Sequence, residues 1–210
     1  MPFFAAQLPA WPCGVGMRRV ALVLWAGLLA GFAVPAVGES QPEVDTSRNG
    51  DLIEVRAQAT INAPLPVIWG TLTDYDRLPD FIPGLKKSRV IARKGATTTV
   101  EQSGEARFLF LSVPIEVTLE STERPPYLEV RRIAGTLRHL QGRYETEVLA
   151  DPTQVRLRWI GSIMPEADLP PLIGVALMRL LIEQQFVGMV REIERREAAR
   201  TSALPAPAAK

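Results

Sequence analysis

Pro64-Leu-Pro-Val-Ile-Trp-Gly-Thr-Leu-Thr-Asp-Tyr-Asp-Arg-Leu-Pro-Asp-Phe-Ile-Pro-Gly-Leu-Lys-Lys-Ser-Arg-Val-Ile91 is the stretch from which the rest of the chain can be read. Val67, Ile68, Trp69 and Leu72 give a short amphipathic helix, with Asn62 placed to cap it. Asp74 stands where a second helix, Asp74 to Phe81, would start, and Pro79 limits its regular length. A cap is the expected role of Asp74, ahead of any catalytic one. Pro83-Gly84 marks a turn, and a strand from Leu85 to Arg93 follows. The stretch holds no nucleophile–base pair and no metal-ligand spacing. Its prolines and apolar side chains suit one wall of a concave apolar site, with Trp69, Tyr75, Phe81 and Ile82 as the wall residues. Plain packing between helices and sheet would explain the same four.

Upstream, Ile53, Val55, Ala57, Ala59 and Ile61 alternate with polar residues, the period of a strand with one buried face. Downstream, alternation continues through several strands separated by short turns. Val100, Gln102, Gly104, Ala106, Phe108 and Phe110 share one face, as do Val113, Ile115, Val117 and Leu119. Tyr127–Ile133 follows the Pro125-Pro126 turn. Thr136–Leu149 then sets Leu140, Gly142, Tyr144, Thr146 and Val148 on one side. Val155, Leu157 and Trp159 oppose Arg156 and Arg158 in the last strand. By parity, Phe108, Phe110 and Trp159 face inward, and Phe110 and Trp159 are further candidates for a cavity wall beside Phe108. Seven strands joined by turns predict an antiparallel meander.

A long helix, about Pro170 to Arg200, closes the chain. Leu172, Val175, Ala176, Phe186, Val187, Val190 and Ile193 form a stripe at 100° per residue. Arg179 and Glu183 fall inside that stripe. A charged pair there is costly in a dry core, so the two are candidates for gripping a ligand's polar head in a wet cavity. Outward rotation of the pair is the competing reading. Leu177, Met178 and Leu181 make the first half apolar all round, which suggests a patch for membrane contact near the cavity mouth. Glu192 precedes Arg196 by one turn, the favourable order for a surface pair.

The order of elements is α+β: a strand, two short helices, six strands and a final helix. It resembles the helix-grip fold, in which a curved antiparallel sheet wraps the last helix around an apolar cavity. Val67-Ile68-Trp69, Leu72-Thr73-Asp74-Tyr75, Leu78-Pro79, Phe81-Ile82-Pro83-Gly84 and Ser88-Arg89-Val90 resemble the opening of the polyketide cyclase/dehydrase and coenzyme Q-binding START-like family of the SRPBCC superfamily. Gly135-Thr136-Leu137 with Leu140-Gln141-Gly142-Arg143-Tyr144 is similar to a later strand of that family, with Tyr144 where Trp is commoner. The resemblance covers about Asp51 to Arg196. It implies binding of lipids, quinones, hormones or polyketides, and one fold does not choose among them.

Composition narrows the chemistry. The chain has 210 residues, 47% hydrophobic and 22% charged, the profile of one globular domain with end segments. With one cysteine, Cys13, and one histidine, His139, a structural zinc site is excluded. His139 is expected on the outer face beside Arg143 and Glu145. Met17-Arg18-Arg19, an apolar run to Gly38 and the triplet Ala36-Val37-Gly38 read as a signal peptide over residues 1–38. An uncleaved anchor is the alternative, and the natural start is Met1 or Met17. Trp11-Pro12 argues against Cys13 as a lipid acceptor. Residues 39–50 read as a flexible leader, 51–200 as the domain and 201–210 as a disordered Ala/Pro tail. Without residues 1–38, basic and acidic residues number 22 and 23, so bulk charge gives no nucleic-acid signal.

These features point to an exported, periplasmic binder or carrier of a lipid or isoprenoid quinone, with no cofactor, no metal and no catalytic group. The alternative is an aromatase/cyclase-type enzyme in which Arg179, Glu183 or Tyr144 moves protons on a polyketide-like substrate. A third is an accessory module whose groove takes a partner protein.

Overall fold

The chain follows the alternating pattern of its sequence into one antiparallel sheet. The computed structural model describes residues 42–108, 111–166 and 171–203, and their side chains except at 108, 111 and 171–173. The expected signal segment, Phe110, the side chain of Phe108 and residues 204–210 of the expected tail lie outside this description. The strands are β1 (Glu43–Asn49), β2 (Leu52–Ile61), β3 (Leu85–Lys94), β4 (Thr97–Phe108), β5 (Leu111–Arg124), β6 (Tyr127–Gly135), β7 (Leu137–Val148) and β8 (Val155–Pro165). Helix α1 (Leu65–Leu72) and a 3-10 helix (Tyr75–Asp80) lie between β2 and β3, and α2 (Pro171–Ser202) closes the domain. Sheet order is β1-β2-β8-β7-β6-β5-β4-β3. Every step from β3 to β8 pairs sequence neighbours, and β2 joins β8. This is the expected α+β helix-grip arrangement, with eight strands in place of seven.

The added strand is β1, which lies in the segment expected to be a flexible leader. Asn49 pairs with Leu52 across Gly50-Asp51, a two-residue hairpin loop, and Gly50 takes φ +61°, the left-handed region that glycine enters without steric cost. Val44 is the one buried residue of β1. One apolar anchor and a tight turn suffice for an edge strand that adds backbone hydrogen bonds to β2.

The inner face of β2 is buried as its alternation demands: Ile53, Val55, Ala57, Ala59 and Ile61 are all at most 4% exposed. Helix α2 packs against β1, β2 and α1. Ile61, Ile68, Leu157, Val190 and Ile193 are fully enclosed, and each such side chain stabilises the fold by about 1.5–3 kcal/mol relative to exposure.

Neither expected cap forms. The residue before α1 is Pro64, and Asn62 instead accepts a bond from Gln154 Nε2 at 3.1 Å. Asp74 does precede the 3-10 helix, yet its side chain makes no cap there. Its Oδ2 accepts a hydrogen bond from Arg196 at 2.7 Å, and Arg196 also binds Glu192 Oε1 at 2.7 Å. Arg195 holds both Glu192 oxygens, at 2.7 and 2.8 Å. Glu192 is only 7% exposed, so the expected surface pair is a half-buried network that pins α2 to the α1–3-10 junction. The Arg196 guanidinium lies 5.4 Å from the centroid of the Phe81 ring.

Arg195, with burial opposing and Arg196 assisting, draws the Glu192 carboxyl from its ordinary 4.5 down to about 2. A carboxylate lowered on folding stabilises the native state above its unfolded pKa, and the contribution fades as pH falls through the folded value. Glu192→Gln should therefore lower stability at pH 7 and flatten the loss of stability between about pH 4.5 and pH 2. Urea unfolding midpoints across that range check it; parallel wild-type and variant curves would contradict it.

Candidate functional site

The inward faces of six strands, the α1 end, the 3-10 helix and α2 do not meet completely. They leave a cavity of about 200 Å³. Its floor is Val100 and Gln102 of β4, Ile115, Val117, Leu119 and Ser121 of β5, Leu128 and Val130 of β6, Leu137, Leu140 and Tyr144 of β7, and Trp159 and Ile163 of β8. Leu72, Tyr75, Leu78 and Ile82 form one wall, and Met178, Leu181, Ile182, Gln185, Phe186 and Met189 of α2 form the roof. Leu137 and Leu140 both reach the interior because the register shifts between Leu137 and His139. An extra residue at such a shift turns side chains three apart to the same face.

Of the residues singled out from sequence, Tyr75, Ile82, Tyr144, Trp159 and Phe186 line this space. Trp69 and Phe81 are half-buried and stand outside it, where they pack between elements. Ala176, Arg179 and Glu183 are exposed, so the expected charged grip is on the outer side of α2. Leu177, Met178 and Leu181 are buried, at 1%, 4% and 7% exposure, and form no outer apolar patch. Both corrections have one cause. In the first half of α2 the inward line runs through residues 177, 178, 181, 182 and 185, about a third of a turn from the line of Phe186, Val190 and Ile193 at 100° per residue. The sequence stripe extended the second line back through the first half.

His139 is on the outer face, half-buried, with Nε2 2.9 Å from Ser162 Oγ. Among the described residues no three His, Cys, Asp or Glu side chains are grouped to hold a metal. Of the residues that sequence reasoning did not single out, Val117 and Leu140 lay on strand faces already visible as period-two runs, while Val130 and the α2 roof did not. What could not be read was which part of each face meets a void and which meets the helix.

Trp159 is the largest floor residue and sits in a slot built by glycines. Gly142 and Gly161 pair across β7 and β8. A methyl group on Gly142 would stand 2.6 Å from Trp159 Cζ2 and Cη2 and 2.8 Å from the Ile160 carbonyl oxygen. The Leu140-x-Gly142-x-Tyr144 pattern thus has a steric reason: glycine admits the indole, and Tyr144 packs beside it with ring centroids 4.7 Å apart.

Polar groups around the cavity are few. The Tyr75 hydroxyl is 3.0 Å from Ser121 Oγ and 3.3 Å from Glu123 Oε1, so its proton has an acceptor in the protein. Burial, aided by the nearby Glu123 charge and opposed by Ser121, pushes it up to about 12. Tyr144 is pushed up to about 12 by burial. Gln102 donates to Ser88 Oγ at 3.3 Å. Glu105 reaches the cavity at an edge where its partners are exposed. Arg107, Lys86 and Ser112 hold its carboxyl far below the usual carboxylate range. Both tyrosines are therefore protonated donors at neutral pH, and the one carboxylate on the lining is already neutralised.

This architecture has solved counterparts. An aromatase/cyclase, ZhuI from Streptomyces sp. R1128, aligns with TM-score 0.61 and 15% identity over 72% of this chain and 97% of its own. A STAR-related lipid transfer protein fragment from Xanthomonas axonopodis gives TM-score 0.60 and 10% identity over 72% of this chain and 93% of its own. The human StarD13 lipid transfer and protein localization domain gives 0.59 and 13%, over 73% and 84%. At such identities the likeness is one of fold. No curated protein matches in sequence. The model of the polyketide cyclase/dehydrase and lipid transport family matches residues 61–185, from the end of β2 to the α2 roof. The chain belongs to the polyketide cyclase/dehydrase and lipid transport family.

Proposed function

We propose that the domain binds and carries a hydrophobic small molecule, a lipid or isoprenoid quinone, in the cavity under α2. The single observation that supports this most is the lining itself: a continuous apolar wall with one carboxylate that is already paired. Apolar surface drives an apolar ligand out of water at about 25 cal/mol per Å² buried. The N-terminal signal pattern supports a carrier that works outside the cytoplasm, in the periplasm or tethered by residues 20–38. Transient contact with a membrane is how such a carrier would load.

The alternative is an aromatase/cyclase, for which the fold likeness to ZhuI speaks. Arg179 and Glu183 are on the exposed side of α2, so proton transfer would fall to Tyr144. A phenol held near 12 donates a hydrogen bond at neutral pH but does not abstract a proton. That asymmetry favours binding.

Incubated with vesicles containing phospholipid and isoprenoid quinone and then re-isolated, the protein should carry about one apolar molecule per chain by extraction and mass spectrometry. Re-isolation of bare protein would contradict the proposal.

A further inference from the structure

We infer that the cavity selects an uncharged ligand whose carbonyl-type oxygen accepts a hydrogen bond from the Tyr144 hydroxyl. This deepens the carrier reading and rests on it. Three observations carry it. The first concerns charge: among the described residues that line the cavity, none is lysine, arginine or histidine, and Glu105 is the one acid. A carboxylate or phosphate taken inside would find no cation, and an unpaired buried charge is strongly disfavoured. Glu105 offers no compensation to a cation either, since Lys86 and Arg107 already hold it.

The second is the state of the tyrosines. Tyr75 spends its proton on Ser121 or Glu123. Tyr144 has no hydrogen-bond partner among the described residues, and burial alone accounts for its raised pKa. It is a protonated donor on the cavity lining, and none of the lining's acceptors, Gln102, Ser103, Glu105, Ser121 or Gln185, is bonded to it. Tyr144 is half-buried, so an apolar ligand that fills the cavity would strip its hydroxyl of solvent, a cost that a ligand oxygen removes. The third is the neighbourhood. Trp159, which packs against Tyr144, also buries an indole Nε1 without a partner. This part of the floor is therefore short of acceptors, and its glycine-lined slot fixes the position of both rings.

Size sets the probes. A cavity of about 200 Å³ is somewhat larger than the roughly 150 Å³ that takes a benzene, so chains of ten or eleven carbons are suitable. Binding of 2-decanone, undecane and decanoate to the purified full chain is measured by calorimetry, for wild type, Tyr144→Phe and Gln185→Leu. Gln185 lines the roof and supplies the other amide on the cavity.

The readout is the ratio of ketone to alkane affinity within each protein, because a ketone gives up more hydration than an alkane on leaving water. Tyr144→Phe should lower that ratio about twofold to tenfold, the worth of one neutral hydrogen bond, and leave undecane unchanged, while Gln185→Leu keeps the ratio. Decanoate should bind wild type more weakly than either. A ratio is insensitive to a small change in stability. A ratio unchanged by Tyr144→Phe, one lowered as much by Gln185→Leu, or tightest binding of decanoate would overturn the inference while the carrier reading stands. Failure of all three probes to bind would overturn both.

Discussion

Trp159→Ala is expected to lower unfolding stability by about 3–5 kcal/mol, the range for removing a buried aromatic side chain. Trp159 is 7% exposed, covers Gly142 and Gly161, and supports Tyr144. Its loss would extend the cavity along β7 and β8 rather than let the sheet collapse, because the paired glycines have no side chains with which to refill the slot. Added indole should restore part of the lost stability, since a ligand that binds only the folded state stabilises it by mass action. Trp159→Phe should cost less than alanine by at least half. It keeps most of the ring contact and removes an indole Nε1 that has no partner, a group whose burial is itself unfavourable. Chemical denaturation of the three proteins with and without indole checks the set. An alanine variant within 1 kcal/mol of wild type, taking about 1 kcal/mol as the ordinary cost of a substitution, would show that the indole is not packed as described.

The second large effect is expected at Arg196. Arg196→Met should cost about 1.5–3 kcal/mol, the range for hydrogen bonds to charged groups. It would leave the Asp74 carboxylate without its 2.7 Å partner and Glu192 with Arg195 alone. Methionine keeps an apolar stem of similar length and gives up the guanidinium together with its contact over the Phe81 ring, so the loss reports the charged head as a whole. Arg196 and Asp74 are 21% and 26% exposed, which places the cost below that of breaking a fully buried pair. A double-mutant cycle with Asp74→Asn should return a clear coupling between the two positions. Additive effects would mean that the pair does not join α2 to the helical junction.

Much of this architecture was legible because antiparallel strands with one buried face write it in period two. Val155, Leu157 and Trp159 against Arg156 and Arg158 gave β8 directly, and β2 was as plain. β1 was not, because its burial rests on Val44 alone and its hairpin signal is a single Asn49-Gly50 pair inside a polar leader. Asp74 was rightly placed before a helix, yet a local cap competed with a partner 122 residues away that periodicity could not show. The site was legible at Tyr75, Ile82, Tyr144, Trp159 and Phe186, which stand on apolar faces that the pattern shows. It was illegible along α2. A helix apolar all round leaves its rotation to tertiary packing, and Arg179 and Glu183 fell on its outer side.

If the domain is a carrier, the space beneath α2 holds the ligand. The most direct measurement is vesicle extraction run side by side on wild type and a Val117→Phe/Val130→Phe variant. Both residues stand on the cavity floor, on β5 and β6, and the enlarged side chains would occupy the space without touching the exposed surface of α2. The account predicts about one apolar molecule per wild-type chain and close to none per variant chain of unchanged circular dichroism. Equal loading of the two proteins would contradict it.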